Sequence, residues 1–143
     1  MALSPTCPYC GKTSTLATGV DIYPQIASLA HRRYFRCDDC EAWVGCHNDT
    51  GSPLGTLAKA ALRKLRMETH AAFDPVWQLL EIGNGWSRSK ARSTAYTWLA
   101  GQMHIAADQC HIGMFDEIAC RQALQVLNRN DPVSTCRDLT SGA

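Results

Sequence analysis

Two rhythms divide this chain. In "TSTLATGVDIYP" (13–24), "RRYFRC" (32–37) and "EAWVGC" (41–46), β-branched and aromatic residues alternate with polar ones at a period near two. That pattern predicts three short strands, the first entering a turn at Pro24. Beyond residue 50 the period lengthens towards 3.6. Ser52 and Pro53 form a helix-start signal, a capping hydroxyl followed by a residue with no amide to satisfy. Leu54, Leu57, Ala58, Ala61, Leu62 and Leu65 then make an apolar stripe.

Asp74-Pro75 repeats the start signal ahead of "VWQLLE", and "GNG" at 83–85 ends that stretch. "SRSKARSTAYTWLAGQM" (87–103) reads as a third helix. Asp116 caps a last one, where Phe115, Ile118, Ala119, Gln122, Ala123, Val126 and Leu127 mostly share a face. "NRNDP" stops it. The expected fold is α+β: a small antiparallel sheet of about three strands, followed by and packed with three to four helices. The expected organisation is a ribbon over 1–50, a helical region packed on it over 51–130, and a flexible tail over 131–143.

The ribbon rests on cysteines. Cys7-x2-Cys10 and Cys37-x2-Cys40 lie 26 residues apart, a length that suits one hairpin. Each C-x2-C turn aims two sulfurs at one point, and four thiolates satisfy tetrahedral zinc. Gly11 follows the second cysteine, where such a turn commonly needs a left-handed residue; Glu41 takes the equivalent place in the second pair and matches less well. With all four positions filled by protein, one structural Zn2+ has no place for a reactive water.

The remaining chemistry is more scattered. Cys46, His47, His70, Cys110, His111 and Cys120 are soft or borderline donors that would suit a second metal site. Their spacings match no module, and free cysteines read equally as small buried apolar groups. With Asp49, the histidines His47, His70 and His111 would also serve a metal-dependent hydrolase or nuclease, provided the fold brings them together. Enzyme activity stays open on these residues.

Composition sharpens the list of partners. Of 143 residues, 45% are apolar and 19% charged, and no apolar run approaches the ~20 residues a membrane helix needs. The opening "MALSPTCPYC" lacks the basic and apolar regions of a signal peptide, so a cytoplasmic location is expected and the eight cysteines read as ligands and thiols. Net charge is only +1, but residues 48–103 carry seven basic and four acidic groups. Lys59, Arg63, Arg66 and His70 fall at i, i+4, i+7 and i+11, which on a helix from residue 53 forms one basic stripe opposite the leucines. Arg88, Lys90 and Arg92 cluster at the next helix start, and Arg32, Arg33 and Arg36 flank Tyr34 and Phe35. Arginine forks with neighbouring aromatics suit single-stranded or structured nucleic acid; the same charges would serve an acidic protein partner. Trp43, Trp77 and Trp98 read as core, Trp86 as exposed.

In this order, "CPYCGK", "IYP", "AWVGCHNDTGSPLGTLA", "HAAFDPVW", "SRSKARSTAYTWLA" and "CHIGMFDEIAC" resemble a family of zinc-finger-containing domains of unknown function found among phages, prophages and bacterial genomes. The likeness spans roughly residues 5–128. It implies an N-terminal zinc ribbon with Cys7, Cys10, Cys37 and Cys40 as ligands, and a phage or bacterial source. It carries over no catalytic residues. The function expected is a zinc-ribbon binding protein associated with nucleic acid. The alternative is a phage-borne modulator of a host protein, such as a defence complex.

Overall fold

The period-two segments pair as their alternation requires. In the computed structural model, which describes residues 4–141, β1 (Thr15–Thr18), β2 (Arg33–Cys37) and β3 (Ala42–Gly45) form an antiparallel sheet in that order. Leu16 faces Phe35, Phe35 faces Val44, and Arg36 faces Trp43. Because successive side chains alternate between faces, Phe35 and Val44 point one way while Tyr34, Arg36 and Trp43 point the other. The first face is the core of the ribbon: Phe35 packs with Cys7, Cys37, Ala42, Cys46 and Leu57. On the second, the Tyr23 ring meets Tyr34 and Trp43 edge-on at 5.9 and 6.2 Å.

The first strand stops earlier than its composition suggests. Thr18 and Asp21 close a capping box, and Gly19–Ile22 turn into a single helical turn, α1. Gly19 is required there: a Cβ would sit 1.7 Å from the Leu29 carbonyl oxygen.

Residues 52–59 are the largest departure from expectation. They are not helical. Leu54 N–H donates to Gly45 O, and Trp43 and Ala58 exchange both backbone bonds, so the segment runs as an irregular fourth strand beside β3. The edge of β3 would otherwise carry unpaired amides, and pairing it outweighs the local Ser52-Pro53 signal. Leu57 and Ala58 are thereby fully buried, while Leu54 remains 54% exposed. The expected ribbon boundary at residue 50 misses this segment; the chain divides into compact units Met1–Arg63 and Lys64–Ala143.

The first long helix, α2 (Ala60–Asn84), runs straight through Pro75. Asp74 does not cap a new start; its carboxylate accepts from Trp77 Nε1 at 2.9 Å. What carries the helix past proline is its buried face: Leu62, Arg66, Thr69, Phe73, Val76 and Leu80 alternate by four and three residues without a break. Burying Phe73, Val76 and Leu80 is worth roughly 1.5–3 kcal/mol each, enough to outweigh the ~3 kcal/mol penalty of an internal proline. The helix ends at Gly85, whose φ is +65°.

In the second unit, α3 (Arg88–Met103) starts at Ser87, whose hydroxyl accepts from Lys90 N–H. It buries Ala91, Ala95, Leu99 and Ala100. Next comes α4 (Glu117–Arg129), capped by Asp116 as expected, with Cys120, Ala123, Val126 and Leu127 inside. Ile118 does not join that face and is 69% exposed. The segment read as a flexible tail is helical at Pro132–Ser141, here α5. Asp131 caps it by accepting from Ser134 N–H, and Cys136 Sγ lies 3.0 Å from Val76 O. Residues 142–143 of that expected tail lie outside the described residues.

Candidate metal centre and basic clefts

Both knuckles are built by backbone before any ion is considered. Cys7 N–H donates to Lys12 O and Gly11 N–H to Cys7 O, making a tight turn bridged at Thr6 and Thr13. Gly11 has φ +78° and Glu41 φ +52°, so the residue after each pair's second cysteine is left-handed, glycine or not. Lys12 of one knuckle pairs with Asp39 of the other.

The sulfurs of Cys7, Cys10, Cys37 and Cys40 all lie within 4.8 Å of one another, and those of Cys10 and Cys37 are 3.6 Å apart. A tetrahedral Zn2+ with bonds of about 2.3 Å needs its sulfurs about 3.8 Å apart, so the cluster fits one ion. The thiols themselves register the crowding. Burial and neighbouring thiols push Cys40 up to about 12. Burial also opposes ionisation of Cys7, but the Tyr9 and Cys10 amides outweigh it and draw this thiol down. When bound, zinc holds the knuckles as four thiolates. These four cysteines make a structural site with no protein-free position.

The six other candidate ligands form no second cluster among the described residues. Cys46 is in the ribbon core, and Cys110 and Cys120 are fully buried, each with burial raising its thiol. His47 is exposed in a turn where Gly51 N–H donates to its carbonyl. His70 sits 3.8 Å from Asp74, and burial lowers its imidazole despite that carboxylate. His111 is exposed and its ring meets Tyr96 at 5.3 Å, tilted by 55°. The histidines expected to share a hydrolytic centre therefore have separate local roles.

The expected basic stripe also breaks up. Lys59 precedes the helix; its amide donates to the Tyr9 hydroxyl, and its ammonium lies 4.7 Å from that ring. Arg63 lays its guanidinium 3.5 Å over Trp43 and donates to Ala58 O. Arg66 is only 8% exposed, its Nε bonded to Phe115 O, so it belongs to the buried face rather than to a solvated one. Of the ribbon arginines, Arg32 is exposed, Arg33 donates to the His47 and Asn48 carbonyls, and Arg36 pairs with Asp38 at 2.6 Å. In the second unit, Arg88 and Arg92 lean on Trp77, and Lys90 lies 4.2 Å over Trp86. None of the four tryptophans is fully buried.

A cleft of about 820 Å³ opens in the first unit beside Cys40, lined by Arg36, Lys59, Arg63 and Trp43, with Asp38 and Glu41 on its wall. Tyr9, inside the first knuckle and 42% exposed, was not singled out from sequence, although an aromatic in a turn that must face outward was the available signal.

Compared with known families, residues 4–130 match the zinc-finger-containing domain family DUF3268. The chain belongs to that family. No curated protein and no solved structure matches it. The family match ends before α5, and it covers both the ribbon and the helices through α4. No helix among the described residues is long and apolar enough to cross a membrane.

Proposed function

We propose that this zinc-finger domain binds single-stranded nucleic acid through the cleft of its ribbon. The observation that carries the reading is the stacking of cations on aromatics beside the metal site: Arg63 over Trp43 and Lys59 over Tyr9. A guanidinium held over an indole, with one donor on the Ala58 carbonyl, has further donors to offer phosphate oxygens, and the exposed Tyr9 ring offers a face to an unpaired base. Strand polarity and sequence readout are not implied, because such a surface meets backbone and π-faces rather than base edges. Zinc's part is to fix the knuckle that carries Tyr9. A phage or mobile-element origin rests on the family resemblance.

The test is binding of short labelled single strands at several salt concentrations. Lys59→Gln with Arg63→Gln should weaken binding and lower the slope of log affinity against log salt by about 1.4, two single-strand phosphate contacts' worth. Unchanged affinity and slope, in a variant that still holds one zinc, would remove the reading. Capture from a lysate that survives nuclease treatment would point to a protein partner at this surface instead.

A further inference from the structure

One surface of the second unit is explained by neither packing nor the ribbon cleft. Along α3, Arg88, Arg92 and Tyr96 recur every fourth residue, and Ser89, Ser93 and Thr97 form the adjacent row. Helical geometry puts the two rows side by side. Together they make one wall of a cleft of about 640 Å³, whose other side is formed by Ala107, Asp108 and His111. That volume is in the range of small-ligand sites.

The wall is held in place from behind. Phe73 packs on Tyr96 at 4.3 Å and Tyr96 meets His111 at 5.3 Å with the rings tilted by 55°, so a buried ring supports an aromatic pair whose outer member is exposed. Burial raises the Tyr96 hydroxyl above its usual range, against the opposing pull of the Ile112 backbone and Arg92. Both arginines lean on the Trp77 ring, at 5.5 and 5.9 Å, so one aromatic side chain orients both guanidinium groups. The nearest acid pairing is loose: Glu81 lies 3.7 Å from Arg88, whose side chain stays 70% exposed.

Two arginine forks, one row of hydroxyls and an aromatic edge meet in this concave surface. The geometry points to a site for a 5′-phosphorylated nucleoside, the phosphate held by Arg88 and Arg92 and the base lying against the Tyr96–His111 pair. Guanidinium forks match phosphate oxygens bidentately, and serine hydroxyls donate to the oxygens that remain. Asp108, on the opposite wall, accepts from hydroxyls and repels a second anion, which favours one phosphate over a polyphosphate. The ligand is a free nucleotide or the phosphorylated end of a strand. Both present the same chemistry, and the site uses no residue of the ribbon cleft.

Calorimetry on the whole zinc-loaded chain tests this with four probes: adenosine, adenosine 5′-monophosphate, ribose 5-phosphate, and a short oligonucleotide with or without a 5′-phosphate. Adenosine monophosphate is expected to bind at least about tenfold more tightly than adenosine, the worth of a charge-assisted phosphate contact. Arg88→Gln with Arg92→Gln should abolish that preference while leaving zinc content and helicity intact. His111→Ala should narrow the gap between adenosine monophosphate and ribose 5-phosphate. A 5′-phosphate that tightens the oligonucleotide, lost in the arginine variant and kept in Lys59→Gln/Arg63→Gln, identifies the strand end as the source. Equal binding of adenosine and its monophosphate, or phosphate selectivity that persists without both arginines, overturns the proposal whatever the ribbon does.

Discussion

The ribbon and the helical unit solve the same problem with different materials. The ribbon's buried cluster is Cys7, Phe35, Cys37, Ala42, Cys46 and Leu57: three of its six members are cysteines and one is alanine. The second unit buries Phe73, Val76, Leu80, Leu99, Ile112, Phe115, Val126 and Leu127. A unit of roughly 60 residues with so few large apolar groups sits near the size at which domains need a staple. Its neighbour in sequence has an ordinary core. The four metal-ligand cysteines thus belong to the unit with the thinner core.

Removing zinc should give the largest effect and the sharpest contrast. Apparent zinc-binding energies of about 10–16 kcal/mol exceed the whole stability of a small domain, so chelation, or Cys37→Ser, is expected to unfold the ribbon. Amide resonances of 4–59 should collapse while those of α3 and α4 persist. Loss of all resonances together would show that the two halves are one cooperative unit. The sign of the pH effect follows from the thiols. Without metal Cys40 holds its proton to about 12, so zinc must displace protons, and its apparent affinity should rise with pH in a chelator competition.

Phe73→Ala attacks the other half. It empties a fully buried ring site and should cost about 3–5 kcal/mol in denaturant unfolding, with zinc stoichiometry unchanged. Next in size is Arg66→Met, which removes the buried donor to the Phe115 carbonyl and should cost about 1–3 kcal/mol. A neutral effect would mean the arginine is dispensable on that face. Smallest is Asp116→Ala, which deletes the cap bonded to Ala119 N–H at 2.8 Å and should cost about 1 kcal/mol.

Two identical dipeptides show how far a local signal depends on what surrounds it, since 131–132 were read only as the stop of α4. Asp74-Pro75 and Asp131-Pro132 carry the same helix-start signal. At 131 the aspartate caps α5; at 74 it turns to Trp77 and the helix continues. The difference is not in the dipeptide. Residues before Pro75 belong to a face whose burial continues beyond it, through Thr69 and Phe73 to Val76 and Leu80. Arg66 and Thr69 sit on that face as polar residues, which disguised it and made Arg66 look like part of a solvated stripe. The α4 cap and the Gly85 stop were legible because each depends on one residue and its own turn.

The metal site was legible for the same reason. A C-x2-C turn is a local object, and two of them at hairpin distance specify four convergent sulfurs whatever surrounds them. The amino-acid sequence alone therefore determined the three strands, the tetrathiolate, and the cap of α4. Only the tertiary structure decided that 52–59 would pair with β3, that α2 would ignore its proline, that the scattered Cys and His residues would stay apart, and that Arg88, Arg92, Tyr96 and His111 would share a cleft. Those outcomes depend on partners distant in the chain, whose burial and pairing energies exceed the local preferences they override.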